Sequence, residues 1–295
     1  MDKIKLEKIN DIKVENSIKK LSVFPCGKFV GVSSDCAIRI WEKDYSLFQY
    51  IPNAHSFSIN YVEIKDNNEF STCSADKSIK IFKLNDIFVE DEKISEAHDK
   101  NITKIIYDKE NRIISCSMDK TIKIWEKKAS NHQNVITVKQ KDSVYSIFLI
   151  EDKQILLSSG KDGTYLWNSV HFNLISYIKD AMCLYCNSLD QFDEKNMILG
   201  YHKVIKIINL ENQKIIQPIF NDKEITCLFT LKKEELFFTA GGKDIKVYKN
   251  NNYECILKIY DAHYDDIFGF SLLKKNIIAS YSKSGGINIW KISER

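Results

Sequence analysis

Apolar and polar residues alternate in short bursts along the whole chain, and the bursts recur at a fixed distance. Seven of them end on a bulky residue, at Trp41, Phe82, Trp125, Trp167, Ile208, Tyr248 and Trp290, 40 to 43 residues apart. Five are preceded by nearly the same string: SSDCAIRIW (33–41), CSADKSIKIF (73–82), CSMDKTIKIW (116–125), SSGKDGTYLW (158–167) and AGGKDIKVY (240–248). Period-2 alternation, β-branched and aromatic enrichment and polar punctuation mark strands. A repeat of this period means one supersecondary unit copied along the chain. In the third copy, residues 102–107 read as a first strand, 112–117 as a second and 121–125 as a third, with tight turns at 108–111 and 118–120.

A fourth, outer strand is expected at 45–51, 134–139, 173–179, 214–220 and 253–259. Between the second and third copies, NDIFVEDEKISEAH (85–98) is longer and more acidic and reads as an outward-bulging connection. No helix of three turns is required. Only KISER follows Trp290, so the seventh copy lacks an outer strand, while KIKLEKIND (3–11) aligns with ECILKIYDA (254–262). Residues 4–9 are therefore expected to complete the last sheet and close a ring, leaving no bare sheet edge. The repeat runs through residues 1–295, which reads as a single domain.

Composition narrows the function. The net charge of +3, from 43 basic and 40 acidic residues spread along the chain, argues against a dedicated nucleic-acid surface. The longest apolar stretch, near VYSIFLI (144–150), is too short to span a bilayer, and no signal-like segment follows the charged start. Cys73 and Cys116 recur at one repeat position, as do Cys183 and Cys227, which fits small buried thiols in a reducing compartment.

Further matches strengthen the pattern. Ala54-His55, Ala97-His98 and Ala262-His263 place a histidine 27 residues before the closing aromatic; Asp35, Asp76, Asp119 and Asp162 fall in the turn between second and third strands. With Trp41, Trp125, Trp167 and Trp290, the chain resembles the WD-repeat (WD40) family of seven-bladed β-propellers. The resemblance implies an all-β fold of four-stranded antiparallel blades. It also implies a hydrogen-bond chain within a blade formed by the His, a strand Ser or Thr, the turn Asp and the Trp indole. Only the third copy offers the whole set: His98, Ser115 or Ser117, Asp119 and Trp125. The fifth and sixth lack both Trp and Asp and are expected to be the softest.

Chemistry has few footholds. His263 lies near Asp265 and Asp266, but no nucleophile, phosphate loop or convergent carboxylate pair accompanies it, so no catalytic residues and no cofactor are expected. Cys183-x-x-Cys186, with His171 and His202 as partners, reads as half a zinc site; the second Cys-x-x-Cys is missing, so core filling is the better reading and no metal is expected. Gly241-Gly242 and Gly285-Gly286 read as hairpin turns.

Surface recognition remains. Family members often bind partners on the face formed by the turn before the Asp and the start of each first strand. Transferred blade by blade, those positions gather Met118, Tyr145, Lys161, Met182 and Tyr201 in copies three to five, with Phe268 further round. Aromatics and methionine beside a cation have the make-up of a binding hot spot. The expected function is a non-catalytic scaffold, monomeric and intracellular in cytoplasm or nucleus, that binds protein or peptide segments on one face. The rival readings are an obligate subunit of a ubiquitin-ligase, coat, chromatin or ribosome-associated complex, and RNA binding.

Overall fold

The computed structural model describes residues 4–182, 184–185 and 188–294. Their strands form seven four-stranded sheets, each joining neighbours in sequence except the last. We number these blades 1 to 7. Helical structure among the described residues is confined to one 3-10 turn, Lys232–Glu234.

Contact density divides the chain into two compact units, Ser22–Cys186 and Met1–Leu21 with Asn187–Arg295. The first holds blade 2 (Ile59–Ile64, Glu69–Ser74, Ile79–Leu84, Phe88–Ile94), blade 3 (Ile102–Tyr107, Ile113–Ser117, Thr121–Lys128, Asn131–Lys139) and blade 4 (Val144–Ile150, Ile155–Gly160, Thr164–Asn168, Leu174–Ile178). It also holds most of blade 1 (Ile18–Val23, Phe29–Ser33, Ile38–Trp41, Leu47–Ile51), whose first strand begins in the other unit.

The second strands of blades 1 to 3 are buried at every residue, as at Ile113–Ser117, whereas their first and third strands mix buried with half-covered positions. The core of this unit therefore lies between successive blades. Phe24 stacks on Phe88 and meets Phe70 edge-on between blades 1 and 2, and Cys116, Ile124, Ile147 and Trp167 share a cluster between blades 3 and 4. Each fully buried aliphatic side chain contributes about 1.5–3 kcal/mol.

The segment 85–98 departs from the sequence expectation. It contains a regular outer strand, Phe88–Ile94, paired along Ile79–Leu84. Phe88 and Ile94 are buried at its two ends and acidic residues lie between them, so acidity hides the strand pattern.

The second unit contains blade 5 (Leu189–Gln191, Asn196–Tyr201, Val204–Asn209, Ile215–Phe220), blade 6 (Cys227–Leu231, Leu236–Gly241, Asp244–Lys249, Cys255–Ile259) and blade 7 (Ile267–Lys274, Ile277–Ser282, Gly286–Glu294). The fourth strand of blade 7 is Ile4–Lys13, antiparallel to Gly286–Glu294 from Ile4↔Glu294 to Lys13↔Gly286. The N-terminus thus completes the last blade as expected, over a longer span than residues 4–9. Ile4 and Leu6 pack beside Trp290 and Ile292. Gly285, at φ +85°, lets the chain pass close to Val14: a Cβ there would sit 2.0 Å from the Val14 carbonyl oxygen.

Candidate functional site

Blade 3 joins its polar residues in one buried chain. Trp125 Nε1–H donates to Ser115 Oγ (2.8 Å), Ser115 donates to His98 Nε2 (2.7 Å), and His98 Nδ1–H donates to Asp119 Oδ2 (2.8 Å). The carboxylate on Nδ1 selects this neutral tautomer. Ser117 takes another role: it donates to the Asn101 carbonyl and accepts from Asp119 N–H, shaping the turn. Burial works against a charged Asp119, but hydrogen bonds from His98, Thr121 and the Asp99 N–H outweigh it and hold the carboxyl well below the usual range. Burial depresses His98, with Asp119 pulling the other way.

Other blades keep parts of this set. In blade 2, His55 joins Thr72 Oγ1 (2.8 Å) to Asp76 (2.9 Å), and Phe82 stacks on Phe70 where an indole donor would stand. In blade 7, Trp290 donates to Ser280 Oγ (2.7 Å), which meets His263 Nε2 (2.6 Å), with Ser284 at the acid's position. Blade 4 holds a stand-in that sequence reading missed. Gln140 lies 27 residues before Trp167, is buried, and accepts from Ser158 Oγ, which accepts from Trp167. Asp162 does not play the part of Asp119. The blade 4 turn is one residue shorter, and this carboxylate accepts from Tyr165 Oη. In blade 1, Asp35 pairs with Arg39, and in blade 6 a buried Asp244 pairs with Lys223.

Four of the first-strand positions fall on β-bulges. Asn60, Thr103, Tyr145 and Phe268 are each the extra residue where the register of strands one and two shifts. A bulge turns its side chain away from the regular alternation. Asn60 and Thr103 use this to bond the next blade, Asn60 Nδ2 to the Ile102 carbonyl (2.7 Å) and Thr103 Oγ1 to the Val144 carbonyl (2.8 Å). Thr226 does the same to Ile267 (2.5 Å). These residues are blade linkers, a role the repeat spacing does not reveal. Tyr145 and Phe268 fill equivalent bulges with rings.

Met118, Tyr145, Lys161 and Met182 lie in the Ser22–Cys186 unit; Tyr201 and Phe268 lie in the other. Lys161 is exposed, and the five uncharged side chains are half-buried rather than prominent. Ser143 Oγ donates to the Met118 carbonyl, joining the blade 3 turn to the start of blade 4. Met182 does not start a first strand, because that of blade 5 begins at Leu189. Lys19 Nζ lies 4.5 Å from the Phe268 ring, and Tyr201 meets His202 edge-on. Prominent apolar side chains occur elsewhere, on outer strands as at Leu174, Ile175 and Tyr177, and two residues or fewer after a blade-entry histidine at Phe57 and Tyr264. A buried pair, Glu92 and His132 (2.8 Å), links the outer strands of blades 2 and 3 and also escaped the sequence reading.

Cys183 and Cys186 lie outside the described residues, and of their suggested partners His171 and His202 are exposed. Among the described residues no group of three or more His, Cys, Asp or Glu could hold a metal ion, and no helix is long and apolar enough to cross a membrane. Residues 91–126, from the outer strand of blade 2 through Trp125, match the family model described as WD domain, G-beta repeat. No curated protein matches the chain significantly.

Proposed function

We propose that this chain, a seven-bladed β-propeller of the WD-repeat family, is a non-catalytic scaffold that binds protein or peptide segments. The observation that carries this reading is the assignment of its polar groups. The rings of His55 and His98 have both nitrogens engaged inside their own blades, and their carboxylates serve those rings. These two rings and their carboxylates are thereby committed to holding strands. Variation falls on turns and bulges, where Met118 and Lys161 stand at the position of the small Ala75 of blade 2 and Tyr145 at that of Asn60. Methionine and tyrosine supply adaptable and rigid contact area, and lysine the rim charge, of a protein-binding patch. Buried thiols at Cys73, Cys116 and Cys227 support an intracellular location, in cytoplasm or nucleus. The near-balanced charge disfavours RNA.

Affinity capture from cells with identification of bound proteins tests the proposal. A Met118→Ala, Tyr145→Ala variant that melts like the wild type is expected to lose bound proteins. Full retention would remove this patch from consideration.

The exposed apolar residues of the outer strand Leu174–Ile178 favour a second reading, a permanent subunit of one assembly. That reading predicts a chain that self-associates when purified alone; the scaffold reading predicts a monomer by light scattering.

A further inference from the structure

Blade 7 differs from blades 2 and 3 by two substitutions at one spot. In blades 2 and 3 the turn carboxylate collects the same donors: a histidine Nδ1–H, a hydroxyl two residues on, and two main-chain N–H groups. For Asp76 these are His55 (2.9 Å), Ser78 Oγ (2.6 Å), Ser56 N (3.0 Å) and Ser78 N (3.0 Å). Asp119 receives His98, Thr121 Oγ1, Asp99 N and Thr121 N in the same way. Blade 7 keeps the histidine chain through Ser280 and Trp290, but has Ser284 in place of the aspartate and Gly286 in place of the hydroxyl residue.

A cavity of about 970 Å³ lies over the histidine. His263 is only 6% exposed, lines that cavity, and has no partner on Nδ1 among the described residues. A Cβ at Gly286 would lie 3.5 Å from this nitrogen, so the missing side chains leave room directly over it. The cations at the rim are Lys8 and Lys13 from the N-terminal strand and Lys243 from blade 6; the anions are Asp11 and Asp261. Lys8 contacts Asp11 at 3.5 Å, while Lys243 is exposed with no ion-pair partner among the described residues. Tyr264, 89% exposed, stands at the opening.

We propose that this cavity is a socket for the side-chain carboxylate of an aspartate or glutamate on a protein partner, which would take the place that Asp76 and Asp119 fill from within the chain in blades 2 and 3. His263 Nδ1–H and Lys243 would meet the carboxylate, and Tyr264 would pack against the partner's backbone. A monoanion suits the site, since the rim lysines exceed the aspartates by one; a phosphate dianion would bring a second charge toward Asp11 and Asp261. This socket shares no residue with the Met118 and Tyr145 patch, so either can fail alone.

The probe is a capped Gly-Asp-Gly tripeptide, with Gly-Asn-Gly as its uncharged twin, titrated into protein with 15N-labelled histidine. The aspartate peptide is expected to shift the His263 ring signals and raise its titration midpoint, and the asparagine peptide to do neither. Ser284→Asp should raise the midpoint without peptide and abolish the response. Lys243→Gln, an exposed substitution that leaves the blade intact, should weaken the response roughly fivefold. Equal responses to both peptides, an unmoved His263, or full binding to Ser284→Asp would each overturn the proposal. Preference for a phosphoserine peptide over the aspartate one would also overturn it.

Discussion

His98 and Asp119 lie 2.8 Å apart, ring nitrogen to carboxylate oxygen, and tie the entry of blade 3 to its second turn. The contact closes a chain that ends on the Trp125 indole, and every member of it is buried or nearly so. Such a chain stabilises when complete and is costly when half-made.

Removal of His98 is therefore expected to destabilise the protein by about 1–3 kcal/mol, since Ser115 and Asp119 lose their partner while covered from water. His202, exposed at the blade 5 turn, provides the control: His202→Ala should stay within about 0.5 kcal/mol of wild type. Urea unfolding of the two variants decides it.

Deleting residues 1–13 should expose the edge of Gly286–Glu294 and uncover the apolar residues beside Ile4 and Leu6. With main-chain bonds worth about 1 kcal/mol each, a loss of at least about 3 kcal/mol is expected. An unchanged melting temperature would show that this strand does not support the last blade.

Gly269 sits where the first strand of blade 7 crosses the buried Tyr281. A Cβ there would fall 2.0 Å from the phenol oxygen and 2.3 Å from the ring. Gly269→Ala should cost about 1–3 kcal/mol through overpacking, measurable by thermal melting. Gly27, whose Cβ would meet nothing nearer than 3.7 Å, has no such clash.

The architecture was legible in the sequence because the repeat spacing, the alternation and the spare N-terminal strand are all written in side-chain chemistry. What escaped depended on shape. The strand Phe88–Ile94 carries acids between its buried ends, and its Glu92 is satisfied by His132, 40 residues away. Gln140 holds a histidine's place without resembling one. The bulges at Asn60, Thr103 and Tyr145 follow from register, so linker and surface residues look alike until the strands are paired. A one-residue difference in turn length removed Asp162 from the role its position suggested.

Stability should fall on acidification from neutral pH. Burial, with the Lys8 charge adding to it, pushes His263 down to about 4. A group depressed on folding stabilises above its unfolded value, about 6.5 for histidine, and that stabilisation is lost as pH falls toward the folded value. For His263 the window runs from about 6.5 to 4, and the effect is on the order of 3 kcal/mol. His55 and His98 shift in the same direction. Urea midpoints at pH 7, 5.5 and 4.5 should decline, and His263→Gln should flatten the decline.

On the proposed function one bulge position serves two purposes, linking blades where the residue is a short donor and meeting partners where it is a ring. A paired measurement of unfolding free energy and partner capture on Thr103→Val and Tyr145→Ala tests it directly. Thr103→Val should lose about 1 kcal/mol, through the bond to the Val144 carbonyl, and keep its partners; Tyr145→Ala should keep its stability and lose them. The reverse pattern, or both variants losing stability while retaining every partner, would contradict it.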